Sequence, residues 1–280
     1  MTNNTVHIPE KFLDMFCEYV FRNFGIYVED TKRKIFEMKL MQLMRNENIT
    51  EASQYYHMIA APPISENHKR VKNTFIDTVT VHKTNFFREN NHFEFIKQNI
   101  KEIIEASPSA KLTGELRIWS AACSTGEEPY TLSMLMKEIL PPHMRAKILA
   151  TDISPASVKK ALEGVYKFGP EDHIPPTYIA KYFTKNADGW WISDEIKRYV
   201  TFRLFNLMDV FNFKTPFDII FCRNVMIYFN RDVQEQLVGK FYDNLSNNGL
   251  LFIGHSESLI QLKHGFKYTE PTIYKKQRDE

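Results

Sequence analysis

Between a strand-like run, Leu116-Arg117-Ile118-Trp119, and a helix with Leu132, Leu135, Met136 and Ile139 at helical spacing lies a loop of small residues, Ser120-Ala121-Ala122-Cys123-Ser124-Thr125-Gly126. Side chains this small let a bound molecule lie against the backbone, and Pro129 suits the first helical turn, where its missing N–H would be unpaired anyway. A second strand, Lys147-Ile148-Leu149-Ala150-Thr151-Asp152, ends in a carboxylate. In a nucleotide-binding β-α-β unit an acid at that point accepts hydrogen bonds from both ribose hydroxyls.

The loop excludes the commonest owner of this layout. It has one glycine where the dinucleotide fingerprint needs three, and the acids Glu127 and Glu128 stand at the helix start, where pyrophosphate would be repelled. A ligand with adenosine, a ribose and cationic groups in place of phosphates fits instead, which is the description of S-adenosylmethionine. Taken singly, Glu127 and Glu128 could merely complement the helix dipole, and Asp152 could merely cap the helix starting near Ser154. Together and in this order they leave that reading much less room.

The elements that must position this loop come from the rest of the chain. At 280 residues with 43% hydrophobic and 14% aromatic content, it can bury one full α/β core and a smaller satellite domain. The 36 basic and 34 acidic residues leave a net charge of +2, which argues against a nucleic-acid footprint over the whole surface. Cys17, Cys123 and Cys222 show neither a paired framework nor metal-ligand spacing, so no metal is expected, and the start of the chain lacks signal-peptide character. No apolar run is long enough to span a bilayer; a reducing cytoplasm is the expected home.

Residues 1–82 read as helical throughout. Phe12, Phe16, Tyr19 and Val20 form one stripe ended by Gly25; Asp30 or Thr31 starts a second helix running to about Arg45; Thr50 opens a third, broken by Pro62-Pro63; and Glu66 to Val79 form a fourth. Residues 83–280 alternate strands and helices, with further strands expected at Tyr199–Phe205, Phe217–Cys222, Gly249–Gly254 and Phe266–Tyr274. That alternation predicts a mostly parallel, doubly wound α/β sheet with ligands at the carboxyl ends of its strands. An insertion of about residues 166–199 interrupts it, with Pro170, Pro175-Pro176, a short helix near Ile179 to Phe183, and a turn leading into Trp190-Trp191. It could be a structural strap or a platform for a partner.

Three further clusters could carry chemistry. Thr84-Asn85-Phe86-Phe87-Arg88-Glu89 puts a fixed cation beside two aromatic rings, although the rings could simply pack a domain junction and Arg88 pair with Glu89 or another acid. Asn206-Leu207 follows a strand, so its amide could read an adenine edge or merely make a turn. Arg223 and Asn224 follow the apolar strand Phe217–Cys222 and are better placed to touch ligand than to build core; Tyr228 is more ambiguous, since a buried tyrosine with a satisfied hydroxyl is common.

These residues carry a resemblance. TNFFRE, SAACSTGEEPY, ATDIS, FCRNVMIYF and LFIGHSES, in this order and along nearly the whole chain, resemble the CheR-type chemotaxis receptor methyltransferases, which transfer a methyl group from S-adenosylmethionine to glutamate side chains of chemoreceptors. The resemblance implies a helical amino-terminal domain for receptor recognition, a Rossmann-like methyltransferase domain and a small β-subdomain inserted in it. It implies cofactor binding, with release of S-adenosylhomocysteine, by His82, Thr84, Arg88, Ala121, Glu127, Asp152, Asn206, Leu207, Arg223 and Asn224, and catalytic roles for Arg88 and Tyr228. His82 stands where the best-known members carry asparagine.

The chemistry this implies needs no general base. A glutamate side chain has a pKa near ~4.3 and is already a nucleophilic carboxylate at neutral pH. Consistent with that, the sequence shows no poised His or Lys and no Asn-Pro-Pro-Tyr signature of amino-directed methyltransferases. In-line positioning and removal of water from the nucleophile remain for the enzyme. Arg88 could orient the acceptor carboxylate or hold the cofactor's own. A non-catalytic sensor on the same fold and a small-molecule carboxyl methyltransferase are the alternatives; intact Arg88 and Tyr228 oppose the first, and the basic helical domain the second.

Partner expectations follow. The second helix, with Lys32, Arg33, Lys34, Lys39 and Arg45 against Glu37, is either a solvated face or a docking surface for acidic receptor helices, which would bring a cytoplasmic protein to membrane receptor arrays without membrane insertion. Family members that bind a receptor tether resemble one another in a longer, glycine-rich turn in the inserted subdomain. Here the turn is the compact Asn186-Ala187-Asp188-Gly189, so no dependence on a tether peptide is expected, and Trp190 and Trp191 should pack the subdomain or touch the receptor stem.

Overall fold

A computed structural model describes residues 6–277, and their contacts divide into two units. The first runs to Val81 and also takes in Ser154–Ala156 and Tyr228–Asn230. It holds α1 (Glu10–Phe24), α2 (Asp30–Asn46), α3 (Ala52–Ala60) and α4 (Glu66–Val79). Phe16, Tyr55 and Phe75 meet in its core with ring centroids 5.9 to 6.4 Å apart and no solvent exposure. Gly25 ends α1 because a left-handed residue (φ 73°) lets its N–H return to the Phe21 carbonyl at 2.8 Å. Ser65 caps α4 by accepting the His68 N–H. The third helix starts at Ala52 rather than Thr50.

The second unit opens with α5 (Asn91–Ala106) and α6 (Pro108–Thr113). It continues with β1 (Glu115–Ala121), α7 (Glu127–Ile139), β2 (Arg145–Asp152), α8 (Pro155–Glu163) and β3 (Val165–Tyr166). Next come α9 (Pro176–Tyr182), β4 (Phe183–Asn186), β5 (Gly189–Ile192), α10 (Asp194–Lys197), β6 (Val200–Leu204) and β7 (Phe217–Cys222). The chain ends with α11 (Arg231–Asn244), β8 (Leu245–Ile253), β9 (Phe266–Glu270) and β10 (Ile273–Lys276). Seven strands form one sheet in the order β6-β2-β1-β7-β8-β10-β9. The first five are parallel to their neighbours and the last two antiparallel.

β7 is buried at every position, as a central parallel strand covered on both faces must be. Trp119 of β1 is fully buried and donates its indole N–H to Thr151 of β2 at 2.9 Å, so even the aromatic core is pinned by a hydrogen bond. Two strand expectations are corrected. The segment Phe266–Tyr274 is not one strand, because Pro271, with no N–H to give, and Thr272 in the left-handed region (φ 64°) turn it into a hairpin. β8 begins at Leu245 rather than Gly249, with Asn248 at φ 66° marking the irregular part.

The insertion carries a separate three-stranded antiparallel sheet in the order β3-β5-β4. The β4–β5 hairpin closes at the Asn186–Gly189 pair, where a Cβ on Gly189 would lie 2.5 Å from the Tyr166 carbonyl oxygen. The two tryptophans part company: Trp190 stacks on Phe168 at 5.3 Å, whereas Trp191 is 41% exposed. Phe86 packs edge-on against Tyr166, Phe168 and Phe183, which ties the loop before α5 to this small sheet. No described helix is long and apolar enough to cross a membrane.

Candidate functional site

The order β6-β2-β1-β7 sets the carboxyl ends of four parallel strands side by side. Ala121 is registered with Thr151 on one side and Cys222 on the other, and Asp152 with Leu204. The loops that leave these ends therefore share one edge of the sheet: Ala121 and Asp152 end their strands there, Asn206, Leu207, Arg223 and Asn224 lie in the loops, and Glu127 opens the helix after β1.

After β1 the backbone turns through left-handed conformations at Ala122 (φ 62°), Ser124 (φ 47°) and Gly126 (φ 98°). The loop is fastened to β2: Cys123 N–H donates to the Thr151 carbonyl at 2.9 Å and Ser124 N–H to Asp152 Oδ2 at 2.7 Å. Ser124 Oγ donates to the His82 carbonyl at 2.9 Å, and His82 Nδ1 lies 3.0 Å from Ser157 Oγ. Gly126 has no alternative, since a Cβ there would lie 2.8 Å from Ala161 Cβ.

The two acids that follow do different things. Thr125 donates to Glu127 at 2.7 Å, and burial pushes the Glu127 carboxyl above the usual range. Glu128 accepts from Ser120 Oγ at 2.7 Å and from Arg223 Nε at 2.7 Å. Its charge is committed within the protein, which corrects the expectation that both acids wait for a cationic ligand.

Arg223 is the centre of that network, with its side chain 2% exposed. Its Nη1 donates to the Arg88 carbonyl at 2.7 Å, to His92 Nδ1 at 3.1 Å and to Glu89 at 3.3 Å. Its guanidinium carbon lies 5.4 and 5.3 Å from the Phe93 and Phe221 ring centroids. Because His92 Nδ1 accepts from a guanidinium, its Nε2 carries the hydrogen and donates to Thr272 Oγ1 at 2.7 Å. Burial, and then the Arg223 charge, push the His92 pKa down to about 3. Glu89, His92 and His255 bring potential ligand atoms within 4.8 Å of one another. Arg223 Nη1 lies 3.3 Å from Glu89 and 3.1 Å from His92, so a fixed cation already meets two of those three groups.

The loop before α5 is strained on either side of Arg88: Phe87 (φ 54°) and Glu89 (φ 56°) are both left-handed. Thr131 Oγ1 accepts the Phe87 N–H at 3.2 Å, and Asp172 the Phe86 N–H at 2.8 Å. Arg88 is half-buried and donates to the Lys83 carbonyl at 2.9 Å. The pairing with Glu89 that its sequence neighbourhood suggests is not formed; Glu89 accepts instead from Arg223, from Asn224 Nδ2 at 3.1 Å and from the His255 N–H at 3.2 Å. Thr84 is half-buried nearby in sequence.

Beyond β6, Asn206 Oδ1 accepts the Met208 N–H at 3.0 Å, and Leu207 is buried. The Lys240 ammonium donates to the carbonyls of Leu207, Met208 and Asp209 at 3.1, 3.0 and 2.9 Å. Sequence reading missed Lys240 and His92, whose side-chain partners are remote in the chain, and offered Glu89 only as a partner for Arg88. Tyr228 ends a 3-10 turn (Met226–Tyr228), is half-buried and groups with the helical unit, where its carbonyl accepts the Tyr27 N–H at 2.9 Å.

On α2 the basic residues are largely answered. Arg33 meets both Glu10 and Asp14 at 2.6 Å, Lys32 meets Glu29 at 3.0 Å, Lys34 meets Glu37 at 2.8 Å, and Lys39 donates to the Thr78 carbonyl at 3.0 Å.

A family model described as the CheR methyltransferase, SAM binding domain, matches residues 82–275. The chain is 36% identical to a chemotaxis protein methyltransferase of Borreliella burgdorferi, over 98% of this chain and 97% of that one. It is 32% identical to those of Escherichia coli and Salmonella typhimurium, in each case over 94% of this chain and 89% of the relative. The chain belongs to the CheR methyltransferase family, whose cofactor is S-adenosylmethionine.

Proposed function

We propose that this member of the CheR methyltransferase family esterifies glutamate side chains of chemoreceptors, working in the cytoplasm at receptor arrays. The single observation that carries the reading furthest is the pinning of the small-residue loop to Asp152 through the Ser124 N–H, at the common edge of four parallel strands. A loop with no side chain larger than threonine lets adenosine approach, and a buried carboxylate suits ribose hydroxyls. The residues present therefore fit S-adenosylmethionine, which when bound supplies an electrophilic methyl group.

The roles we assign are these. Asp152 accepts from the ribose, Ala121 and Leu207 bound the nucleoside, and Asn206 reads the adenine edge. Glu127, Thr84, His82, Asn224 and Arg88 surround the amino-acid end. Arg223, with Nε and Nη1 committed to Glu128, Glu89, His92 and the Arg88 carbonyl, serves by fixing the backbone that carries Arg88. Arg88 orients the acceptor carboxylate or holds the cofactor's own; Tyr228 keeps its catalytic assignment on the resemblance alone. A glutamate carboxylate attacks without a general base, so the chain contributes orientation and exclusion of water.

The test is transfer of labelled methyl from S-adenosylmethionine into membranes carrying chemoreceptors, scored as base-labile methyl esters. Label that resists base, or that appears only in small molecules, would overturn the reading.

A further inference from the structure

The segment after β8, Gly254-His255-Ser256-Glu257, is a turn closed by the Glu257 N–H on the Gly254 carbonyl at 2.9 Å. Its carboxylate is buried and is met by four backbone N–H groups. Oε1 accepts from Met226 at 2.7 Å and Ile227 at 3.3 Å; Oε2 accepts from Asn224 at 3.0 Å and Gly254 at 2.6 Å. Three of those donors belong to the loop that leaves β7, which turns at once through Asn224 in the left-handed region (φ 58°).

Consecutive N–H groups converging on one point are an anion site, and here the protein supplies the anion itself. Gly254 completes the clamp from the other side. A Cβ there would lie 2.8 Å from the Asn224 backbone nitrogen and 2.4 Å from its Nδ2, so only glycine lets the two loops touch. The Asn224 side chain is then aimed by Glu89, which accepts its Nδ2 at 3.1 Å.

We infer that Glu257 and Gly254 are positioning residues for cofactor binding: they impose the left-handed turn at Asn224 and so set the geometry of the loop that meets the cofactor. This rests on the assignment of Asn224 in the preceding subsection. Arg223 is held through its side chain, whereas residues 224, 226 and 227 are held through their backbone N–H groups, all three by Glu257.

The experiment uses the full-length protein and measures S-adenosylhomocysteine affinity by calorimetry, together with the cofactor KM and kcat for methyl transfer. Glu257→Gln is isosteric, yet in either orientation its NH2 faces two N–H donors; Gly254→Ala forces the loops apart while leaving the carboxylate intact. Each should weaken cofactor binding tenfold or more and raise the cofactor KM in step, with the receptor KM within twofold of wild type. Mere loss of folded protein would instead lower the active fraction and the apparent kcat, with an unchanged dissociation constant. A folded variant of either kind with wild-type cofactor affinity overturns the inference, and if Glu257→Gln does not fold, Gly254→Ala decides. Failure of both to fold also overturns it, since the clamp would then serve the fold and not the site. A wild-type protein that binds no S-adenosylhomocysteine sinks the functional reading and the clamp together; a wild type that binds, with Asp152→Ala weakened and both clamp variants unchanged, sinks the clamp alone.

Discussion

Arg223 Nε donates to Glu128 Oε2 at 2.7 Å with the arginine side chain 2% and the glutamate side chain 11% exposed. At such burial, removing one partner is far worse than never having had the pair, because the other charge stays behind without solvent. Arg223→Met should therefore cost about 3–5 kcal/mol. All three tryptophans, Trp119, Trp190 and Trp191, lie in the second unit, so urea unfolding followed by their fluorescence reads that unit directly. A loss below ~1 kcal/mol, the scale of an exposed pair, would show that the network is not what holds these loops.

His92 gives the same network a pH signature. Its folded-state pKa is pushed down to about 3 from an ordinary 6.5, so between those values the unfolded chain binds a proton that the folded chain refuses. Stability should thus be full above pH 6.5 and fall as pH drops towards about 3. His92→Asn should flatten that part of the profile in urea titrations at successive pH values. A wild-type profile level from pH 6.5 to 4 would contradict the burial of a neutral imidazole.

What could be read from the sequence divides along physical lines. β7 was legible because a parallel strand buried on both faces is a continuous apolar run, here followed by polar Arg223; β1 is nearly as buried, and β2, exposed at Arg145 and Lys147, showed itself by the apolar stretch that leads to Asp152. The helix α5 carries a stripe, Phe93, Ile96, Ile100 and Ile103, at a spacing that periodicity makes legible. Glu257, Lys240 and His92 were not legible, since each acts on groups far away in the chain and only the folded sheet edge brings them together. The same holds for Glu128, whose neighbour Glu127 looks identical on paper but, among the described residues, meets no arginine.

Asp152 is expected to hold the ribose. Asp152→Ala should weaken S-adenosylhomocysteine binding by about ten- to a hundredfold, or roughly 1.5–3 kcal/mol, the worth of hydrogen bonds to a charged acceptor. The substitution also releases the Ser124 N–H, so Asp152→Asn, whose Oδ1 can keep that bond, should lose less. Unchanged calorimetric affinity in both variants would remove Asp152 from the site.

For Arg88 the two assigned roles separate by measurement. A guanidinium fork grips a carboxylate in two places, which an ammonium cannot, so Arg88→Lys should lose most of its turnover. If Arg88 orients the acceptor, cofactor affinity stays within a few-fold; if it holds the cofactor, affinity and rate fall together. Wild-type rates in Arg88→Ala would discard both.

The basic face of α2 has to be taken apart before it is tested. Arg33 sits between Glu10 and Asp14, at 2.6 Å from each, so Arg33→Glu would set three acids against one another and lower stability whatever the helix binds. Lys32 pairs with the exposed Glu29, and Lys39 donates to the Thr78 carbonyl, so reversing these two disturbs the fold much less. If the helix meets acidic receptor helices, Lys32→Glu with Lys39→Glu should raise the receptor KM about three- to tenfold and flatten its dependence on salt, because fewer charges are left to screen. Cofactor affinity should not move, which separates docking from damage to the site. Receptor methylation in the double variant with wild-type KM and wild-type salt dependence would return α2 to an ordinary solvated face.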